Sequence, residues 1–404
     1  MFSGSGTVSG YLAKSYQVTA VDIQEYSRVI CSALFEAEPN QISVARELFS
    51  HPSALEAIEK TTEAARPLIA LENLAYQEAN EGQLELLCDI IEHGALIGLN
   101  DGAPNDRRLA KAMHQVVSSL KNAGLWTAQS TSALRYFGGV YFSYQHALEI
   151  DQYRSLAELC PLEHRDTYIA ASLTTASELV NTVGKHFAQP LRPRDKEGKI
   201  KKTLLNIVGR DRFKDSEEIF FRAFERYTER SVQSRENCSA VRADYCDFLA
   251  SADLEDTFVY ADPPYTRDHY SRYYHVLETL ALRDNPEIST NFAQGIRSIS
   301  RGLYRKERHQ SPFCIRSQAP SAFDDMFAKI SNAGASLLLS YSPFENAVDN
   351  HPRVVDLDLL STLAEKHFGK VDVVSAGKFS HSRLNRSDLH KDRSDQAEKF
   401  IVCR

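Results

Sequence analysis

The sequence has few of the features that mark secreted, membrane-spanning or uniformly basic proteins. Its seven cysteines form no CxxC pair or other metal-ligand spacing, which argues against a zinc site or a disulfide framework and fits reduced thiols in a cytoplasmic protein. It shows no secretory signal and no apolar run near the length needed to cross a bilayer. Its formal net charge is −7, so any contact with a nucleic acid must come from local basic patches.

The pattern of strand and helix signals divides the chain into three parts. With 404 residues and 43% hydrophobic content, the chain is long enough for one large domain or two ordinary ones. Strands and helices alternate at both ends, whereas helical periodicity dominates from about residue 39 to 236. We therefore predict an α/β domain formed by residues 1–38 and 237–404, interrupted by a mostly helical insertion at 39–236.

The most informative segment is TFVYADPPYTRDHY, at residues 257–270. Its first four residues favour a half-buried strand, and Pro263 and Pro264 end that strand because they fix φ and lack a backbone donor. Asp262 is thus expected at the carboxyl end of a strand, the edge of an α/β sheet at which ligands bind. An exocyclic amine such as adenine N6 could donate to the Asp262 carboxylate and to the Pro263 carbonyl, and the base could stack on Tyr265.

A second constellation lies at the start of the chain. Gly4 and Gly6 form a loop, a short helix follows, and the next strand ends at Asp22, an order typical of a nucleotide-binding α/β unit. A dinucleotide fingerprint would need glycine where Ser9 stands, and no GK[ST] follows the loop. The expected ligand is therefore nucleoside-like without an obvious polyphosphate, which S-adenosylmethionine fits. Asp244 follows another predicted strand and joins this set.

These two sites together suggest a methyl transfer to an amine of a base. Two hydrogen bonds from N6 would favour a more tetrahedral nitrogen, with its lone pair aimed at the sulfonium methyl group. Because the nitrogen cannot be reached inside a duplex, the base would be flipped out of the stack. Catalysis would depend on orientation and charge placement, without a metal or a covalent enzyme intermediate.

The same motifs resemble those of the D12 class of adenine-specific N6 DNA methyltransferases, the group that includes the DNA adenine methylases. FSGSG at residues 2–6 matches the FxGxG cofactor motif, and DPPY at residues 262–265 matches the catalytic motif. Residues 340–342 resemble the strand end that follows the catalytic motif. The order of cofactor motif, recognition insert and catalytic motif is also that of the class.

This resemblance implies a Rossmann-like core that uses S-adenosylmethionine to methylate a flipped-out adenine in double-stranded DNA. It implies catalytic roles for Asp262, Pro263, Pro264 and Tyr265, and cofactor-binding roles for Phe2, Gly4, Gly6, Asp22, Ile23 and Asp244. It also implies a modification role in a restriction-modification or defence system, with a restriction nuclease or other defence subunit as a partner.

The beginning of the chain departs from the pattern of the class. In the family a strand runs into FxGxG and a further cofactor-binding segment lies upstream, whereas here Met1 directly precedes Phe2. We therefore expect one of three situations: a truncated start, a missing part supplied by another chain, or impaired cofactor binding.

Two basic regions are candidates for contact with DNA. Residues 192–214 hold nine Lys or Arg against three Asp or Glu, and a second basic region follows the catalytic motif. Such runs usually form a solvated face, but in a chain that should hold DNA we favour contact with phosphates. The predicted nucleic-acid-binding residues are Lys199, Lys201, Lys202, Arg301 and Arg305.

Several alternatives stay open at this point. An RNA adenine N6-methyltransferase could use the same catalytic motif, and the chain could be a catalytically incomplete nucleic-acid-binding subunit. Asp244 fits a helix N-cap as well as a cofactor contact. Ser340 fits a structural role better than a catalytic one, and the aromatic segment YFGGVYF at residues 136–142 fits a buried core better than a base-stacking surface.

Overall fold

The computed structural model describes residues 1–99, 104–231, 237–266, 270–293, 296–342, 353–375, 377 and 398–404. The α-helices are α1 (Thr7–Leu12), α2 (Glu25–Glu36), α3 (Gln41–Phe49), α4 (Pro52–Asn80), α5 (Glu85–His93), α6 (Arg107–Asn122), α7 (Ser132–Phe137), α8 (Tyr144–Leu156), α9 (Arg165–Leu179), α10 (Leu204–Arg212), α11 (Ser216–Ser231), α12 (Tyr245–Ser251), α13 (Tyr270–Tyr273), α14 (His275–Leu282), α15 (Ala319–Asn332) and α16 (Leu357–Glu365). The strands are β1 (Thr19–Asp22), β2 (Ser239–Arg242), β3 (Phe258–Ala261), β4 (Thr290–Ala293), β5 (Ile296–Ile299), β6 (Ser336–Tyr341), β7 (Val371–Ser375) and β8 (Lys399–Cys403). Short 3₁₀ helices lie at Leu96–Gly98, Gln129–Thr131, Leu162–His164, Val183–Lys185 and Pro312–Cys314.

The chain forms two compact units. The α/β unit comprises Met1–Cys31, Arg235–Ser271 and His309–Arg404, and the helical unit comprises Ser32–Ser234 and Arg272–Arg308. The first boundary lies within α2 rather than at the predicted residue 38. The helical unit also includes 272–308, which the sequence pattern placed with the second part of the α/β domain. No helix in the described ranges combines the length and apolar character needed to cross a membrane.

The packing of α14 explains why the segment 272–308 belongs with the helices. Val276 and Leu280 of α14 are buried, and the helix packs against α7 and α9. His275 at its start is 1% exposed and its Nε2 donates to the Phe187 carbonyl at 3.2 Å. Burial lowers the pKa of His275 to about 3, so this histidine is a neutral, packed residue rather than a proton acceptor.

The strands of the α/β unit form two groups. β1 and β2 are parallel, with Asp22 opposite Arg242. β3, β6, β8 and β7 form a four-stranded sheet in that order, in which β3 and β6 are parallel and β8 is antiparallel to both of its neighbours. The described strands thus confirm a mixed α/β unit with parallel strand pairs, but they do not form one continuous doubly wound sheet.

Residues 1–3 lie between these two groups of strands. The Met1 amino group donates to the Tyr260 carbonyl on β3 at 2.7 Å. The Ser3 amide donates to the Val21 carbonyl on β1 at 3.3 Å, and the Ser3 hydroxyl reaches the same oxygen at 3.1 Å. The glycine loop that follows is therefore anchored beside the carboxyl ends of both β1 and β3.

Alternate residues of β6 point into the core of the α/β unit. Leu337 and Leu339 on this strand are fully buried, together with Ile401 on β8. They belong to one hydrophobic cluster with Phe323 and Phe327 of α15. Burying a large apolar side chain stabilises a fold by about 2 kcal/mol, so this cluster holds the strand ends in place.

The helical unit has its own core, which includes the YFGGVYF segment. Phe137 and Tyr141 are fully buried, as the sequence pattern indicated. The turn needs glycine because a Cβ at Gly138 would lie 2.7 Å from the Leu134 carbonyl oxygen. Beside this turn, Arg212 forms a buried ion pair with Glu72 on α4 at 2.5 Å.

Candidate active site

The predicted catalytic segment begins where β3 ends. Ala261 at the end of β3 lies opposite Leu339 of β6, so the next residue, Asp262, is beside Ser340. Pro263 is buried and Tyr265 is half-buried, whereas the Asp262 side chain reaches solvent. The two prolines hold the backbone extended at this point, because each fixes φ and removes a donor.

Two hydrogen-bond acceptors at this strand end have no donor among the residues that the structure describes. Within the described part of the chain, no hydrogen bond reaches the Asp262 carboxylate or the Pro263 carbonyl oxygen. Burial and, second, the charge of Glu398 raise the pKa of Asp262 to about 7, while the Met1 amino group opposes the rise. Solvent at the exposed side chain screens part of this effect. The site therefore offers two adjacent acceptors, one of which titrates near neutral pH.

A second carboxylate, Glu398, joins the site from a distant part of the sequence. The Ser340 hydroxyl donates to Glu398 Oε1 at 2.6 Å. Burial is the main cause that raises the pKa of Tyr260 to about 12, and the charges of Asp262 and Glu398 add to it. Tyr265 shows the same direction, again with burial first and Glu398 second. The structure thus brings Tyr260, Asp262, Ser340 and Glu398 together at one edge of the sheet.

The ring of Tyr265 is held in place by two neighbours. It packs against Tyr341 at 5.3 Å between ring centroids, with 61° between the planes. The guanidinium of Arg353 lies 4.8 Å from the centroid of the Tyr265 ring. Arg353 is fixed in turn by the Ser342 carbonyl oxygen at 2.5 Å and the Ser342 hydroxyl at 2.9 Å. A ring fixed in this way suits a stacking surface, which stays a prediction for Tyr265.

The glycine loop meets the acid predicted to bind a ribose. The Gly4 amide donates to Asp22 Oδ2 at 3.0 Å, and the Gln24 amide donates to Asp22 Oδ1 at 2.9 Å. Gly4 and Gly6 have φ of 52° and 70°, the left-handed region that favours glycine, and a Cβ at Gly4 would meet only open space. Asp22 is thereby oriented by backbone donors, with lone pairs left on both oxygens for a ligand hydroxyl.

The charges of Asp22 and Asp262 both act on the Met1 amino group. Burial lowers the pKa of the Met1 amino group to about 6, and the charges of Asp22 and Asp262 oppose that change. The loop–acid pair at the end of β1 and the acceptor pair at the end of β3 both lie beside residues 1–3, which contact both strands.

Phe2 of the FSGSG motif has a structural role in the protein. Its ring packs against Tyr245 at 5.7 Å and against Phe313 at 5.4 Å between centroids. It is only partly buried at the margin of the hydrophobic cluster of the α/β unit. A contact between Phe2 and a cofactor stays a prediction.

Ile23 and Asp244 have local structural partners at the ends of β1 and β2. The Ile23 carbonyl oxygen accepts from Arg242 Nε at 3.2 Å. Asp244 is the N-cap of α12, because its side chain accepts from the Cys246 amide at 2.8 Å. The cap does not occupy the second carboxylate oxygen, so a cofactor contact of Asp244 also stays a prediction.

The predicted nucleic-acid-binding residues all lie in the helical unit. They differ in whether their charged groups contact other groups of the protein. Lys199 and Lys202 are exposed, and the Lys201 ammonium donates to the Arg192 carbonyl at 2.6 Å. Arg301 donates to the Leu191 carbonyl at 2.7 Å. Arg305 forms a two-bond ion pair with Asp284, at 2.7 and 2.5 Å. Much of the charge of Arg305 is thus neutralised within the protein.

Comparison with known proteins gives one family match. Residues 177–331 match the model of the D12 class N6 adenine-specific DNA methyltransferase family. This part of the chain is similar to that class of methyltransferases. The matched region includes the segment 262–265 and stops before β6, so it contains the DPPY motif but not the glycine loop.

One curated relative resembles part of the chain. The modification methylase LlaI of Lactococcus lactis subsp. lactis is 30% identical over 188 residues, which are 45% of this chain and 26% of that protein. The match therefore spans about a quarter of that methylase. No solved structure gives a significant match.

Proposed function

We propose that the protein is a site-specific DNA adenine N6-methyltransferase, which transfers a methyl group from S-adenosylmethionine to a flipped-out adenine. The observation that carries this proposal is the pair of donor-free acceptors, the Asp262 carboxylate and the Pro263 carbonyl, at the end of a strand within the family-matched region. An adenine N6 amine carries two hydrogens, so it can satisfy both acceptors at once.

The residues of this edge would orient the amine rather than bond to it covalently. With both N6 hydrogens held by Asp262 and Pro263, the nitrogen lone pair is turned out of the plane of the base. S-adenosylmethionine supplies an electrophilic methyl group on its sulfonium, and the N6–C bond forms as the S–C bond breaks. The methylated amine then loses one proton to Asp262 or to water. Placement and charge together contribute most of the rate in such a reaction.

The loop–acid pair fits the nucleoside part of this donor. Asp22, oriented by the Gly4 and Gln24 amides, can accept hydrogen bonds from two ribose hydroxyls. The open space beside Gly4 lets a ligand approach the backbone closely. The negative charges of Asp22 and Asp262 favour a cationic sulfonium between them.

The name of this relative, a modification methylase, supports a modification role for this chain as well. We propose that it marks DNA against a paired restriction nuclease or another defence subunit. Because genomic DNA is the proposed substrate, the cytoplasm is the proposed compartment.

The proposal is tested by methyl transfer from labelled S-adenosylmethionine to unmethylated genomic DNA, with Asp262→Asn as the variant. Asparagine keeps the shape but turns one acceptor into a donor, so the rate should fall about 100-fold or more. Asp253→Asn, at an exposed residue of the loop before β3, is the matched control and should keep the wild-type rate.

Two outcomes would contradict the proposal. If Asp262→Asn keeps its turnover, this carboxylate does not hold the reacting amine. If structured RNA added in equal amount receives the label in preference to duplex DNA, the substrate is RNA and the enzyme is an RNA adenine methyltransferase.

A further inference from the structure

A cluster of arginines surrounds Tyr304 in the helical unit. The guanidinium carbons of Arg272 and Arg308 lie 5.4 Å and 5.2 Å from the centroid of the Tyr304 ring. The Tyr304 hydroxyl donates to the Ala188 carbonyl, which fixes the ring. Stacking on an aromatic face holds a guanidinium in a defined plane and lowers the entropy lost when it binds a ligand.

The charges of two further arginines, Arg301 and Arg192, also act on Tyr304. Burial raises the pKa of Tyr304, and the charges of Arg272, Arg308, Arg301 and Arg192 all oppose that rise. None of these four arginines forms a salt bridge with a carboxylate in the ranges that the structure describes. The charge of Glu92 acts on Arg301, but Glu92 is paired with Arg194 at 3.0 Å. The cluster therefore carries an uncompensated positive charge.

The guanidinium of Arg308 is only partly satisfied by the protein. Its Nη1 atom is shielded from solvent and has no hydrogen-bond partner within the described residues. Burial and the charge of Arg272 both lower the pKa of Arg308, which shows that its cationic form is disfavoured where it stands. A donor left unpaired in this way destabilises the protein, and a bound anion would relieve that effect.

The positive surface continues from this cluster into the basic segment 192–214. Arg192 is the first residue of that segment, and its carbonyl oxygen accepts from the Lys201 ammonium at 2.6 Å. Lys199 and Lys202 on either side of Lys201 are exposed. A row of cations of this length suits a chain of phosphates better than a single phosphate ion.

We propose that Arg272 and Arg308, stacked on Tyr304, bind phosphates of the DNA backbone. A guanidinium forms two parallel hydrogen bonds to one phosphate, so each arginine is assigned one phosphate group. The inference rests on the proposed function only in taking duplex DNA as the polyanion. It concerns binding and not methyl transfer, so the two proposals can fail separately.

The test is the salt dependence of binding to a short fluorescent DNA duplex, for the full chain and for the double variant Arg272→Gln/Arg308→Gln. Each phosphate contact contributes about 0.9 to the slope of log affinity against log salt, so the variant should lose about 1.8 from the slope. Between 50 and 200 mM salt the affinity of the wild type should then fall about tenfold more than that of the variant.

Two controls separate the cluster from general charge and from loss of structure. Lys60→Gln/Arg66→Gln removes two positive charges from α4, where both residues are exposed and paired with Glu56 and Glu63, and should leave the slope unchanged. Arg272→Lys/Arg308→Lys keeps both charges and should restore most of the slope even if the geometry is worse. Thermal unfolding of each variant shows whether it is folded.

The result that overturns the proposal is a folded Arg272→Gln/Arg308→Gln variant with the wild-type slope. A variant that keeps the DNA slope but no longer binds inorganic phosphate or ATP would also overturn it, because the cluster would then serve a free phosphate ligand. A lost slope in a chain that transfers no methyl group would support this inference and count only against the proposed reaction.

Discussion

Replacing Glu398 with glutamine should move the acid limit of activity to lower pH. The proposed reaction needs an ionised Asp262, because a protonated carboxyl is a poorer acceptor for the N6 hydrogen. Burial and then Glu398 raise the pKa of Asp262 from 3.8 to about 7. Wild-type activity should therefore fall as the pH drops through about 7. Without the charge of Glu398, Asp262 stays ionised to a lower pH and activity persists there.

The expected size of this shift in the acid limit depends on how much burial and Glu398 each raise the pKa of Asp262. Burial is the larger cause, so Glu398 raises the pKa of Asp262 by less than burial does. Solvent at the exposed Asp262 side chain reduces the charge–charge part further. We therefore expect the acid limb to move to lower pH by about one pH unit.

The assay is kcat/KM for methyl transfer measured against pH, because this ratio reports the titration of the free enzyme. Glu255→Gln, an exposed acid in the turn before β3, is the control and should keep the wild-type profile. An acid limb that stays in place in a folded Glu398→Gln protein, or moves to higher pH, would refute the coupling. Loss of activity at every pH with an unchanged limb would instead mean that Glu398 has a direct structural role.

Two further predictions concern stability. Arg212→Met leaves Glu72 buried without its partner and should lower the free energy of unfolding in urea by about 3–5 kcal/mol. Arg222→Met, at an exposed pair with Glu178, should lower it by less than about 1 kcal/mol. Similar losses in both variants would show that the buried pair is not special. The pKa of Asp262 is raised in the folded state, so its ionisation destabilises the fold progressively from about pH 3.8 to about 7. Asp262→Asn should therefore be more stable than the wild type at pH 8, by about 1 kcal/mol after solvent screening. Near pH 4 the two proteins should be equally stable. Thermal unfolding at the two pH values measures this, and a variant that is less stable at pH 8 would contradict it.

The parts of the site that sequence could predict are those set by local pattern. A strand signal followed by an acid and two prolines placed Asp262 correctly at the end of β3, and the same logic placed Asp22 at the end of β1. The glycines before Asp22 pointed to a loop that the Gly4–Asp22 hydrogen bond confirms. These features depend on neighbours within about 20 residues, so a single sequence contains them.

The rest of the site depends on pairings between distant segments. Glu398 enters because β8 runs antiparallel to β6, which places it within reach of the Ser340 hydroxyl. Arg353 reaches Tyr265 by way of Ser342, and no local spacing marks either contact. The sequence HSRLNRSDLHKDRSDQ at 381–396, which its polar composition predicts to be a loop between the last two strands, lies outside the described residues.

Charge patterns gave the least reliable guidance, because sequence does not show which charges neutralise each other. Arg305 was selected from a basic region, yet Asp284 pairs with it across 21 residues. Arg272 stood outside that region, yet it stacks on Tyr304 beside Arg308. Only the fold of segment 272–308 onto the helical unit distinguishes a paired arginine from an unpaired one.

The two proposed sites share one physical property, which ties them to function rather than to stability. Asp262 is a carboxylate whose ionised form is disfavoured in the fold, and Arg308 is a cation whose charged form is disfavoured in the same way. Burial destabilises the charged form of both groups. The Met1 amino group offsets this only in part at Asp262, and Arg308 Nη1 has no hydrogen-bond partner within the described residues. Since neither arrangement helps the protein to fold, both groups are suited to a ligand from outside the chain. An adenine amine at Asp262 and a phosphate at Arg308 are chemically opposite ligands, and DNA offers both kinds of group.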